Sequence, residues 1–284
     1  MPAHAIIHHP FAYSLGPVSI TGFGIAILMC FLVGQYVAQG ELARRGFDPK
    51  PVADMTFAAV IGGLLGAKLY YVVILRHWDT MFDRSGFVFW GGLIGGTIAV
   101  MFVVVRTRYG VKRMFDVGGP ACAAAYAVGR TGCWAVGDDY GRPWNGFLAV
   151  AFPDGSPPST VAVMTRDFGV HVPADVPLSS VMSVIPTQLL EVTLGFVMFL
   201  ILWRLRDHRH AEGWLFGVYC VLAGLERFVV EFFRAKDDRL LGPLTYAQLI
   251  ALTFVVGGIV VMVVLRRVTA ERPGIYEKPR LAAT

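Results

Sequence analysis

Long apolar stretches separated by short charged connections dominate this chain. Residues 17–40, 85–105 and 240–265 contain no Asp, Glu, Lys or Arg, and each reaches the roughly 20 residues a helix needs to cross a bilayer. The apolar pattern predicts about seven helices, near 17–38, 52–75, 88–105, 114–136, 187–204, 212–233 and 244–265. The expected fold class is an all-α, polytopic transmembrane helix bundle. It divides into spans one to four (1–136), an outer-side loop or small cap (137–186), spans five to seven (187–266) and a cytoplasmic tail (267–284). The segment 137–186 is set apart because it holds seven of the 16 prolines and almost no apolar run.

Composition narrows the class. Of 284 residues, 55% are apolar and only 16% charged, against about 25% charged in soluble domains. A cytosolic globular enzyme and a disordered chain are both excluded. The net charge of +5 does not point to nucleic acid, because in a membrane protein the placement of Lys and Arg carries the information. The connections after spans one, three and five and the C-terminal tail hold 15 of these residues, and the opposite side holds 7. The positive-inside rule therefore puts the N-terminus outside and the C-terminus in the cytoplasm, as an odd number of spans requires. No basic n-region precedes the first apolar run, which is expected to be a retained span rather than a cleaved signal. The four cysteines form no C-x-x-C pair, so neither zinc nor a disulfide framework is expected.

Charges inside spans cost about 2.5 kcal/mol or more at mid-bilayer, so each needs a reason. Among them are Lys68, Arg130, Glu191, Glu226, Arg227 and Glu231. With the orientation above, Lys68 and Tyr70 fall in the outer half of span two. Arg130, Asp138, Gly141 and Arg142 fall at the outer end of span four, Gln188 and Glu191 at the outer start of span five, and Glu226, Arg227, Glu231 and Arg234 at the outer end of span six. The polar groups thus converge on the outer third of the membrane, unlike a transporter's midplane site or a channel's continuous polar path. Arg227, Glu231 and Arg234 share one helix face by spacing. Two arginines on different helices at one depth suit an anion, and the anion at hand there is a phospholipid headgroup. Gly91, Gly92, Gly95 and Gly96 open span three, either for close helix packing or as backbone donors toward a phosphate.

Several motifs together resemble the prolipoprotein diacylglyceryl transferase family. They are Arg44–Pro49 after span one, Gly66–Tyr71 closing span two, and Gly91–Gly96 opening span three. Gly129-Arg130-x-Gly132 then runs into Gly137-x-x-x-Gly141-Arg142-Pro143, Pro186–Glu191 opens span five, and Arg227–Arg234 ends span six. The resemblance implies a multi-pass enzyme of the bacterial cytoplasmic membrane. Such an enzyme moves the diacylglyceryl group of phosphatidylglycerol to the lipobox cysteine of preprolipoprotein signal peptides and releases glycerol phosphate. It works in the lipid bilayer with no metal or soluble cofactor. Carried onto this chain, Arg130 and Arg227 would hold the phosphate, Glu231 would orient Arg227, and Asp138 would shape the polar pocket. Gly141 would permit close backbone approach. Lys68, Tyr70, Arg142, Arg234 and the glycines 91, 92, 95 and 96 complete the expected substrate-binding set.

The chain departs from the family pattern at four places. Trp90 stands where the family has the histidine of His-Gly-Gly, Cys133 and Val136 replace two asparagines, and Phe23 replaces a tyrosine. None of the seven histidines falls in a span. These departures keep two other readings open, a relative with a different acceptor or donor and a catalytically silent lipid-binding scaffold. Cys133 is either an activated thiol or, the favoured reading, a small apolar replacement.

Overall fold

The structure is a computed structural model that describes residues 6–16, 18–76, 78, 80, 86, 88–172, 175–235, 239–241 and 244–266. The expected tail 267–284 lies outside the described residues. Eight helices account for most of them: α1 (Gly22–Arg44), α2 (Pro51–Leu75), α3 (Phe89–Thr107), α4 (Val111–Val136), α5 (Val161–Phe168), α6 (Thr187–Leu205), α7 (Trp214–Val230) and α8 (Tyr246–Val264). Short strands fill the connections: β1 (Ile6–Ile7), β2 (Ala12–Leu15), β3 (Val18–Thr21), β4 (Val150–Ala151), β5 (Ser183–Val184), β6 (Arg239–Leu241) and β7 (Leu244–Thr245).

Local chemistry sets the helix ends. Thr21 caps α1 by accepting from Gly24 N at 3.1 Å, Pro51 opens α2 where its missing N–H costs nothing, and Thr245 and Gln248 form a reciprocal capping box on α8. Helix α4 stops at Gly137, whose φ of +69° suits a residue without a Cβ.

Five of the eight helices are long and apolar enough to cross a membrane: α1, α2, α3, α6 and α8. Their outer faces leave Leu64, Leu65, Ile98, Phe102, Val256 and Val263 exposed, the surface that hydrocarbon rather than water would cover. The expected spans four and six correspond to α4 and α7, which do not meet that standard. Helix α4 carries Lys112, Arg113, Asp116 and Arg130, and α7 is 17 residues long with Glu226 and Arg227 near its end. Both are sheltered. Helix α4 packs against α1, α6 and α7 through a small-residue surface that includes Gly119, Ala123, Ala124, Ala127 and Gly132, so it depends less on its own hydropathy than a lipid-facing helix does. Helix α7 meets α8 closely, since a Cβ on Gly224 would stand 2.6 Å from the Ala251 carbonyl oxygen.

Helices α2 and α3 form a second close pair. A Cβ on Gly62 would stand 2.7 Å from the Gly95 carbonyl oxygen, and Gly66 and Gly91 are in still tighter backbone contact. The α3 glycines are therefore seated against α2, the packing alternative left open by their spacing.

The described residues of 137–186 pack together as a cap on the helices. Strand β4 pairs in parallel with β1 and antiparallel with β5, and α5 lies beside them. Tyr140, Val150, Phe152, Met164, Val184 and Ala235 make its core. Arg142 N donates to Phe233 O at 2.9 Å, fastening the unit to the end of α7. At the opposite end of α4, Asp116 caps α7 by accepting from Gly213 N at 2.8 Å and Phe216 N at 3.2 Å.

Candidate active site

The end of α4 creates the site. Arg130 lies two turns before the Gly137 stop, and the chain then turns through Asp138 and Asp139 beneath the cap. Asp139 adopts φ +54°, a left-handed conformation that Asp tolerates better than most residues. Thr187 Oγ1 donates to its carbonyl at 2.7 Å, and Gln188 Nε2 donates to the Asp138 carbonyl at 2.5 Å. The start of α6 thus fixes this turn.

Around it runs an alternating chain of acids and arginines. Arg130 Nη2 pairs with Glu191, and Arg130 Nη1 donates to Asp139 Oδ2 at 3.0 Å. Arg234 Nη2 donates to Asp139 Oδ1 at 2.7 Å, while Arg234 Nε lies 3.8 Å from Glu231 Oε2. Arg227 Nη2 closes the series 2.7 Å from the same oxygen. Three carboxylates and three guanidiniums neutralise one another, which makes their burial tolerable. Two donors stay out of the series: Arg130 Nε and Arg227 Nη1 are buried without a hydrogen-bond partner.

The two aspartates of the turn differ in environment. Burial opposes the charge of Asp139, but Arg234 and Arg130 hold its carboxyl below the usual carboxylate range. Burial and then the Asp139 charge push Asp138 up to about 6, and its Oδ1 is buried without a partner. Cys133 Sγ, Asp138 and Asp139 offer ligand atoms within 4.8 Å of one another. Arg130 Nη1 already sits there, 3.1 Å from Cys133 Sγ, and its charge disfavours a cation.

A cavity of 740 Å³ adjoins the arginine series. Phe89 and Trp90 from α3 and Ile250 and Phe254 from α8 give it apolar walls, and Tyr126, Tyr219, Tyr246, Glu226 and Arg227 bring polar groups to its lining. Tyr126 OH donates to Glu226 Oε1 at 3.0 Å.

The structure brings Arg130, Arg227, Glu231 and Arg234 together in one series, with Asp138 beside it. Gly141 is enclosed: a Cβ would stand 2.5 Å from the Phe233 carbonyl oxygen, and its N–H donates to Ile185 O at 2.8 Å. Arg142 Nε donates to the Arg234 carbonyl at 3.0 Å, so Arg142 fixes backbone in this structure. Lys68 and Tyr70 belong to the α2–α3 region. Lys68 is buried with its Nζ 5.5 Å from the Tyr71 ring centre, and Tyr70 packs on Gly91. Gly92 and Gly96 approach Gly63 and Ala59 of α2. Asp139 and Tyr126 escaped the set expected from sequence, and Gln188, Glu191 and Glu226 were singled out there only as polar groups within spans. The Asp138-Asp139 doublet after a buried arginine was a readable signal, whereas the Tyr126–Glu226 contact spans 100 residues and left none. His8 meets the Trp134 ring edge-on and the Phe152 ring at a tilt, with its Nδ1 buried and without a hydrogen-bond partner, and His9 Nδ1 lies 2.8 Å from Asp154 Oδ2.

The prolipoprotein diacylglyceryl transferase family model matches residues 10–264. The chain belongs to this family. Relatives include three bacterial proteins named phosphatidylglycerol–prolipoprotein diacylglyceryl transferase. The protein from Clostridium tetani is 28% identical over 259 residues, covering 89% of this chain and 96% of its own. That from Geobacter sulfurreducens is 28% identical, covering 91% and 95%. That from Solidesulfovibrio magneticus is 30% identical, covering 88% and 92%. Family membership makes this chain a diacylglyceryl transferase of lipoprotein biogenesis, and its apolar helices make it a membrane protein.

Proposed function

We propose that the chain transfers the diacylglyceryl group of phosphatidylglycerol to the lipobox cysteine of preprolipoprotein signal peptides, at the outer leaflet of the bacterial cytoplasmic membrane. On this reading α4 and α7 join the five apolar helices to give seven spans, with the N-terminus outside and the C-terminus in the cytoplasm. Residues 1–136 carry spans one to four, 137–186 the outer cap and 187–266 spans five to seven. The excess of Lys and Arg on one set of connections supports that orientation.

One observation carries the chemistry: Arg130 Nε and Arg227 Nη1 are the two arginine donors of the charged series left buried and unpartnered. A headgroup phosphate offers the oxygens they lack. Arg227 also lines the cavity, whose apolar walls suit the acyl chains. As the bond between glyceryl carbon and phosphate oxygen breaks, negative charge grows on the phosphate, and fixed guanidiniums stabilise it. The attacking group is the acceptor thiolate. Glu231 orients Arg227, Asp138 shapes the pocket, and Gly141 and Arg142 tie the cap to the end of α7. No step draws on a metal or soluble cofactor.

The test is transfer by purified protein from phosphatidylglycerol vesicles to a lipobox peptide, read by mass spectrometry. A diacylglyceryl adduct on the peptide cysteine, lost in Arg227→Ala, supports the reading. Folded protein that binds phosphatidylglycerol and yields no adduct favours an altered acceptor or donor, or a lipid-binding scaffold, with Trp90 and Cys133 as the first positions to examine.

A further inference from the structure

Transfer to a thiol needs a proton acceptor, and none of the described histidines lines the cavity beside Arg227. We infer that Glu226 is the general base that takes the acceptor thiol's proton, with Tyr126 as the residue that positions it. The inference rests on the transferase reading above.

Vacancy and placement single out Glu226 among the acids of the site. Asp139, Glu191 and Glu231 are each held by arginine. Glu226 lies in the same region and, among the described residues, forms no ion pair. Its partner is a neutral phenol, Tyr126 OH, at 3.0 Å on Oε1, and no hydrogen bond reaches Oε2 among the described residues. Glu226 and Tyr126 both line the 740 Å³ cavity next to Arg227. The phenol fixes the carboxylate's rotamer and leaves one oxygen for the thiol. The adjoining arginine serves the leaving phosphate, so base and anion site are consecutive residues of α7.

The step balances. The thiol gives its proton to Glu226, and the thiolate sulfur bonds to the terminal glyceryl carbon of the donor. The carbon–oxygen bond to phosphate breaks with its electron pair on that oxygen. The proton on Glu226 passes to the departing phosphate and restores the carboxylate. The titratable and charged groups facing Glu226 are Tyr126 and Arg130 from α4, Glu191 from α6, Tyr219 and Arg227 from α7 and Tyr246 from α8.

The experiment is the same transfer assay, run as a function of pH on wild type, Glu226→Gln, Glu226→Asp, Tyr126→Phe and Asp138→Asn. Thermal melts and phosphatidylglycerol binding are measured on each variant. General-base loss typically costs about 10²–10⁴-fold in rate. The expected result is a fall of that size in Glu226→Gln, with loss of the acid limb of kcat/KM and lipid binding retained. Glu226→Asp keeps a limb at reduced kcat, and Tyr126→Phe moves the limb while keeping most turnover. An active wild type whose Glu226→Gln variant keeps both rate and limb overturns the inference while leaving the transferase reading intact. A limb abolished by Asp138→Asn and kept by Glu226→Gln overturns it in favour of Asp138. No transfer by wild type overturns the functional reading and this inference with it.

Discussion

Arg227 Nη2 and Glu231 Oε2 meet at 2.7 Å across one helical turn, and this contact turns the last guanidinium of the charged series into an oriented one. Glu231 is almost fully buried and Arg227 about one-third exposed, so the acid is an internal fixture and the arginine the member able to meet a ligand. Replacing Arg227 by Ala removes an anion donor and leaves Glu231 only the longer 3.8 Å contact with Arg234 Nε. The expected loss in kcat/KM is about 10²–10³-fold, the size seen when a fixed transition-state donor is deleted. Arg227→Lys recovers only part of it, because an ammonium cannot hold Glu231 and a phosphate through one planar fork. Transfer kinetics with phosphatidylglycerol vesicles check both.

Asp139 spans the gap between Arg130 and Arg234, one carboxylate oxygen to each. Asp139→Asn keeps the shape and removes the charge that separates two guanidiniums. With its side chain 38% exposed, solvent screens part of the interaction, and the expected cost is about 1–2 kcal/mol. The carboxyl is held below its usual range, so its stabilisation is full above the unfolded value of about 4 and is lost as pH falls through the lower folded value. Thermal melts in detergent at decreasing pH should show wild type losing its advantage over Asp139→Asn below about pH 4.

Asp138 has the opposite sign. Burial and the neighbouring Asp139 raise it to about 6, so ionisation is less favourable in the folded state than in the unfolded chain. Its effect is absent below the unfolded value, grows as pH rises toward 6, and is a constant penalty above that. Asp138→Asn is therefore expected to melt higher than wild type at neutral pH, with the difference closing below about pH 4. Equal melting temperatures at pH 7 and pH 4 would contradict this account of the pocket.

Neighbouring glycines on α2 give a matched pair. Gly62→Ala places a methyl 2.7 Å from the Gly95 carbonyl oxygen, whereas Gly63→Ala meets the Gly92 oxygen at an ordinary 3.7 Å. The first change is expected to destabilise the α2–α3 pair by about 1–3 kcal/mol. The second is expected to be neutral or slightly stabilising, since Ala outranks Gly in helices by about 1 kcal/mol. Detergent melts of the two single variants separate them.

The sequence by itself determined the class of protein and most of the helices. Uncharged runs of about 20 residues announce apolar helices whatever their neighbours, and the ordered motifs from Arg44 to Arg234 carried the family. Hydropathy was a weaker guide to α4 and α7, because a helix sheltered by other helices can hold Arg130, Glu226 and Arg227 without being apolar itself. Arg130, Arg227, Glu231 and Arg234 were legible as a group because a charge in an apolar run is costly enough to demand a purpose.

Only the tertiary structure decided how those charges are partnered. Asp139 reads in sequence as one more acid of a polar turn, and it joins two arginines because α4 and the end of α7 meet beneath the cap. Glu226 reads as one of several buried acids, and only the packing of α4 against α7 gives it a phenol in place of a guanidinium. A charge within a span is a local fact of composition; the partner that makes it structural or chemical is a long-range fact, set by which helix faces pack together.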